Sequence, residues 1–313
     1  MSRAFVFPGQ GSQAVGMGKA LAEASATARE LFEEVDDALS QKLSKLMFEG
    51  PEDELTLTEN AQPALMAVSM AIIRVLEKDG GLNVADKADF VAGHSLGEYS
   101  ALAAAGALNV ADAARLLKIR GKAMQQAVPV GKGAMAALLG LEIDQVKEIA
   151  AKAAGDQVCD IANDNSDGQV VVSGDREAVE RAVALAGEAG AKRSVLLPVS
   201  APFHCALMAP AADVMKAALA EAAVNAPNPL LIANVTADAV GDPDDIRELL
   251  FRQVTGMVRW RESVLAMKAK GVDTLVEIGS GKVLSGLVRR IDREMTGRSV
   301  QGPDDIDSLL ADI

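Results

Sequence analysis

Short unbroken apolar runs alternate along the chain with longer stretches in which apolar residues recur at helical spacing. The first run, Ala4 to Phe7, has no polar residue on either side of the alternation, which suits a strand covered on both faces. Residues 89–93, PLLIANV (229–235) and TLVEIG (274–279) have a similar strand-like character. Between and after them the spacing predicts helices around 17–48, 60–78, 96–127, 206–223, 243–255, 260–270 and 281–294. Strand and helix in this rhythm predict an α/β fold with a mostly parallel sheet and helices on both faces.

From 131 to 197 the rhythm changes. GAMAALLGL reads as a strand, IDQVKEIAAKAA as a helix, VCDIAN and QVVVSG as strands, REAVERAVALAGEAG as a helix and KRSVLLPV as a strand. That βαββαβ order is ferredoxin-like. It predicts a small subdomain, 131–197, inserted into a discontinuous large domain of 1–130 and 198–313. The tail from Gly297 is polar and acidic and is expected to fray.

Composition narrows the picture. Half of the 313 residues are hydrophobic but only 3% are aromatic, which favours Ala-rich helices packed closely on sheet. A net charge of -13 argues against nonspecific nucleic-acid binding, because there is no basic excess to release phosphate counterions. Two cysteines, Cys159 and Cys205, make neither a disulfide framework nor a metal pattern; free thiols and a cytoplasmic setting are expected. The uncharged stretch Ser194–Ala212 is long enough to raise the question of a membrane span. Pro198, Pro202, Pro210 and His204 inside it argue against one. The N-terminus runs from Arg3 straight into a strand-like segment, without the pattern of a signal peptide.

The chemistry concentrates in DFVAGHSLGEYSALAAAG (89–106), where an apolar strand reaches Gly-His-Ser-Leu-Gly and an Ala-rich helix follows. A serine on such a tight turn projects its Oγ into solvent, and the helix N-terminus supplies backbone N–H groups for an oxyanion. Ser95 is the expected nucleophile and the Leu96 N–H the natural first donor. The chain has two histidines. His94, adjacent on the turn, should point away from the serine Oγ, which leaves His204 of PVSAPFHC as the base. No Asp stands out as a third member. The loop after the first strand carries Gly9, Gly11 and Ala14 at dinucleotide-fingerprint spacing, yet residues 20–39 continue as helix where a Rossmann unit needs a second strand ending in an acidic residue.

FPGQGSQ, GHSLGEYSALAAAG, PVSAPFH and RQVTGMVRW together resemble the malonyl-CoA:acyl carrier protein transacylase family and the related acyltransferase domains of polyketide synthases. The resemblance covers the chain up to about 290. It implies a hydrolase-like α/β core with a ferredoxin-like insertion, Ser95 as nucleophile and His204 as base. It also implies an oxyanion hole from the backbone N–H groups of Gln10 and Leu96, and Arg120 as partner of the malonyl carboxylate. Gln253 would orient the histidine through its main-chain carbonyl, in place of the missing Asp, and Asn163 would line the site. Phe203 matches a position where phenylalanine accompanies malonyl rather than methylmalonyl use. Physical need supports Arg120: a guanidinium forks onto a carboxylate as lysine cannot, and the neighbouring cations Arg115, Lys118 and Lys122 are expected to face solvent.

The implied reaction passes malonyl from malonyl-CoA to the phosphopantetheine thiol of holo-acyl carrier protein, with no metal or redox cofactor. Carrier proteins are acidic, so docking needs a local basic patch. Lys192 with Arg193, and Arg289 with Arg290, are the candidate pairs, the second preferred. A serine esterase or thioesterase with water as acceptor, and a non-catalytic scaffold, are the competing readings.

Overall fold

The computed structural model describes residues 2–313. Its strands are β1 (Arg3–Phe7), β2 (Phe90–Gly93), β3 (Gly133–Leu139), β4 (Cys159–Ser166), β5 (Gln169–Asp175), β6 (Arg193–Leu196), β7 (Leu230–Ile232), β8 (Ala239–Val240), β9 (Thr274–Ile278) and β10 (Thr296–Val300). They form a six-stranded sheet ordered β10-β9-β1-β2-β7-β8 and a four-stranded sheet ordered β4-β5-β3-β6. The larger sheet is parallel from β10 to β7, with β8 an antiparallel edge. The smaller is antiparallel throughout, in the strand order of a ferredoxin-like unit.

The all-apolar β1 is explained by its central place. Phe5 and Phe7 face a core built with the helices Ala26–Leu39, Thr58–Lys78 and Val110–Ala127, while Ala4 and Val6 face a second core with Trp260, Val264 and Leu287. A strand buried on both faces has no use for polar residues. In the smaller sheet Ala134, Ala136 and Leu138 of β3 meet its own helices Ile143–Ala154 and Arg176–Glu188, and Met135 joins the large core. That shared core ties the smaller sheet to the larger one. Among the described residues no helix is long and apolar enough to cross a membrane.

Several boundaries differ from the sequence expectation. The region 17–48 is broken into Lys19–Ala24, Ala26–Leu39 and Leu43–Glu49. Ser25 interrupts it by capping the second piece, its Oγ accepting the Ala28 N–H at 3.2 Å, and Ser40 ends that piece at φ 50. Lys118 is half-buried rather than solvent-facing, with Nζ donating to Gln41 and Asn60 and paired with Glu59. The largest correction concerns the tail. Instead of fraying, β10 adds to the sheet edge beside β9, and the helix Pro303–Asp312 buries Ile306 and Leu309 in the large core. Its polar composition hides ordinary helix signals: Pro303 and two aspartates in the first turn, then apolar residues at 306, 309, 310 and 313.

This packing has a measurable consequence. Leu309, 1% exposed, should destabilise the protein by about 2–4 kcal/mol when changed to Ala. Thermal and urea unfolding of Leu309→Ala check this, and an unchanged midpoint would mean that the final helix is not part of the cooperative core.

Candidate active site

The carboxyl ends of β1, β2 and β7 lie side by side, the place where parallel α/β sheets gather ligand-facing loops. After β2 the chain turns sharply into the helix Gly97–Ala104, and Ser95 on that turn has φ 54, in the left-handed region. Such a conformation costs a non-glycine residue on the order of 1–3 kcal/mol. The turn closes because its flanks lack side chains: a Cβ on Gly93 would sit 1.9 Å from the Gly97 backbone, and one on Gly97 2.3 Å from the Phe7 carbonyl oxygen. Asn234, just past β7, clamps it from the side. Its Oδ1 accepts the Ser95 N–H at 2.8 Å and its Nδ2 donates to the Gly93 carbonyl at 2.7 Å.

Ser95 Oγ lies 2.7 Å from His204 Nε2. His204 also has a left-handed backbone, φ 58. Its Nδ1 faces the carbonyl oxygens of Gln253 at 2.9 Å and Gly256 at 3.1 Å. Carbonyls only accept, so the proton sits on Nδ1 and Nε2 is left to accept from the serine hydroxyl. Burial, reinforced by the Arg120 charge, pushes the His204 imidazole down to about 3. At neutral pH it is an unprotonated base in hydrogen-bond contact with an alcohol.

Arg120 approaches Ser95 from the helix Val110–Ala127. It is 1% exposed, with Nη2 donating to Ser95 Oγ at 3.0 Å and to Gln253 Oε1 at 2.9 Å, and Nη1 to Gln62 Oε1 at 2.8 Å. The Tyr99 ring lies 5.8 Å from the guanidinium carbon. Burial lowers the arginine pKa, and Tyr99 and Glu98 oppose that shift. Its Nε is buried without an acceptor among the described residues. A cation held by neutral oxygens, with Nη2 beside the serine hydroxyl, is suited to pair with an anion there.

The remaining candidates divide. Leu96 stands at the N-cap of the helix after the serine, and neither its backbone N–H nor that of Gln10 has an acceptor among the described residues. Gly9 packs against His94, where a Cβ would come within 2.9 Å of Nδ1, so the Gln10 loop adjoins the elbow. Phe203 is buried in the large core beside His204. Asn163 is buried in β4, bridged through its backbone to Val258. The asparagine that reaches the elbow is Asn165, whose Oδ1 is 2.9 Å from His94 Nε2; the His94 ring also packs near Trp260. Arg289 and Arg290 are exposed on the last turn of the helix Val283–Ile291, and Lys192 and Arg193 are exposed too.

Sequence reasoning missed Gln62, Glu98, Asn165 and Asn234. Glu98 stood in view inside GHSLGEY, and Asn234 closes an apolar run. Gln62 and Asn165 gave no local signal.

The acyl transferase domain family matches residues 4–300. A malonyl CoA-acyl carrier protein transacylase of Bacillus subtilis is 47% identical over 308 residues, 98% of this chain and 96% of the relative. The crystal structure of an acyl-carrier-protein-S-malonyltransferase from Bartonella henselae superposes with a TM-score of 0.97 at 59% identity, covering 99% of each chain. A malonyl-transacylase solved in complex with its holo type II PKS acyl-carrier protein superposes at 0.96 with 42% identity, covering 100% of both chains.

The low imidazole pKa predicts a flat acid limb. Labelling of Ser95 by a neutral fluorophosphonate should keep its neutral-pH rate down to about pH 5, where a histidine of ordinary pKa would leave about a thirtieth of it. A rate falling through a pKa near 6.5 would contradict this environment.

Proposed function

This chain belongs to the acyl transferase domain family, and we propose that it transfers malonyl from malonyl-CoA to the phosphopantetheine thiol of holo-acyl carrier protein through a malonyl-serine ester. The observation that carries the reading is the meeting at one oxygen. Ser95 Oγ lies 2.7 Å from a neutral imidazole nitrogen and 3.0 Å from a buried guanidinium. A hydrolase needs the first contact only; a donor with a free carboxylate gives the second a purpose.

His204 Nε2 takes the Ser95 proton as Oγ attacks the thioester carbonyl. The oxyanion is met by the Leu96 and Gln10 N–H groups, each such donor typically worth about 2.7–4 kcal/mol in the transition state. The C–S bond breaks, CoA leaves as a thiol with the proton from His204, and the malonyl ester remains on Ser95. The carrier-protein thiol then gives its proton to His204, its sulfur attacks the ester, and the C–O bond breaks with the proton returned to Oγ. Both half-reactions exchange oxygen and sulfur at one carbonyl carbon without change of oxidation state, so the scheme draws on no redox group, and His204 and the backbone donors fill the proton-transfer and oxyanion roles a metal would otherwise serve. Arg120 holds the malonyl carboxylate and Gln253 steadies His204. Phe203 limits room for an added methyl, and Asn163 is the weaker pocket candidate.

The malonyl-transacylase solved with its carrier protein supports a carrier protein as the acceptor. Docking is assigned to Arg289 and Arg290, an exposed basic pair on a chain of net charge -13. The free thiols of Cys159 and Cys205 fit a reducing cytoplasm.

Two measurements test this reading. Arg120→Ala should lower the malonyl-to-acetyl ratio of kcat/KM by about a hundredfold or more, since the carboxylate would be buried without its cation. An unchanged ratio removes the clamp. Reversing Arg289 and Arg290 to Glu should raise KM for carrier protein by about tenfold and leave that for malonyl-CoA alone, and equal changes in both would reject the docking assignment.

A further inference from the structure

The acyl-transfer scheme makes no use of Glu98, yet this carboxyl is 1% exposed behind the elbow. It lies on the first turn of the helix that follows Ser95. Its Oε2 accepts from Gln253 Nε2 at 2.6 Å and from the Asn234 backbone N–H at 3.3 Å. Gln253 is the crossing point of the site. Its Nε2 also donates to the Ser95 carbonyl at 3.0 Å, its Oε1 accepts from Arg120, and its main-chain carbonyl accepts from His204 Nδ1. One side chain therefore touches the serine and the arginine while its own backbone touches the histidine.

An amide with free rotation could present either end to Arg120. A guanidinium has donors only, so the carbonyl end must face it, and an acceptor must stand at the opposite end to receive the NH2. Glu98 Oε2 and the Ser95 carbonyl both stand there, and the carboxyl, at 2.6 Å, makes the shorter bond and is the side-chain acceptor close enough to hold the NH2. From this geometry we infer that Glu98 is a positioning residue for the transfer reaction: it fixes the Gln253 amide in one orientation, and through it the places of Arg120 and His204 around Ser95 Oγ. Burial lifts its carboxyl to about 7, opposed by Gln253, Asn234 and Arg120. A protonated carboxyl still offers a carbonyl oxygen, so the role needs an acceptor at Oε2 rather than a full charge. Both bonds fall on that one oxygen, and a glutamine could supply it.

The inference rests on the acyl-transfer reading and is tested with three variants of the full chain. Glu98→Asp withdraws the acceptor by the length of one methylene, and kcat for malonyl transfer should fall by about tenfold to a hundredfold, with kcat/KM falling at least as far because Arg120 is displaced too. The rate of fluorophosphonate labelling at Ser95 should fall with it. Glu98→Gln should restore kcat to within about threefold of the unchanged protein. Gln253→Ala keeps the main-chain carbonyl but removes the amide, and should show a loss like that of Glu98→Asp; combined, the two losses should not multiply. Unchanged kcat and labelling in Gln253→Ala would overturn the inference whether or not Glu98→Asp folds. So would a Glu98→Asp protein that is less heat-stable but kinetically unaltered, or losses that multiply in the double variant. Failure of the underlying reading looks different: the unsubstituted protein would release no CoA from malonyl-CoA in the presence of holo-carrier protein.

Discussion

Removing a guanidinium from water costs several kcal/mol unless its donors are met, and Arg120 sits where water does not reach. The surrounding side chains answer most of that demand, leaving Nε without an acceptor among the described residues. Gln62 and Gln253 supply amide oxygens, Tyr99 places its ring nearby and Ser95 Oγ accepts a further bond. Behind them Glu98 is a buried carboxyl reached through the Gln253 amide rather than by direct pairing. The cation is thus held by neutral oxygens, with no carboxylate paired to it directly. An incoming carboxylate would meet a charge already in place, with little side-chain entropy left to lose.

Two strained backbones face one another across the Ser95 hydroxyl. Ser95 and His204 both occupy the left-handed region, and neither is a glycine. Each is held by its surroundings: Ser95 by the Asn234 clamp and the helix that follows it, His204 by the carbonyls of Gln253 and Gly256. The main-chain carbonyls do for the imidazole what a carboxylate does in a three-residue relay, fixing the tautomer that leaves Nε2 open. Burial and then the Arg120 charge depress the His204 pKa, and the bonds to these two carbonyls oppose them only in part.

The parallel sheet supplies the rigidity this arrangement needs. β1, β2 and β7 are neighbours, and the residues just beyond their ends are Gln10, Ser95 and Asn234. Core packing on both faces of these strands fixes their ends, so the loops start from positions that cannot drift. The smaller sheet brings Asn165 to His94 and shares part of the large core.

The sequence alone carried whatever depends on near neighbours. Strand–turn–helix around Ser95 was legible because the glycines, the apolar run and the Ala-rich helix are contiguous, and the βαββαβ order was legible because each element is its own periodic segment. The ends of elements were less so: Ser25 and Ser40 break a continuous helical pattern by capping and turn chemistry, which periodicity does not register. The last strand and helix were misread because polar composition outweighed a short apolar repeat at 306, 309 and 310. What only the tertiary structure decided was which buried polar groups share an oxygen or a carbonyl. Gln62, Glu98, Asn165 and Asn234 come from separate stretches of chain, and each is an ordinary polar residue until packing excludes water and leaves a neighbour as its partner. Hydrogen bonds reach about 3 Å in space, with no limit in sequence separation, so their pattern is written in the fold and not in any local stretch.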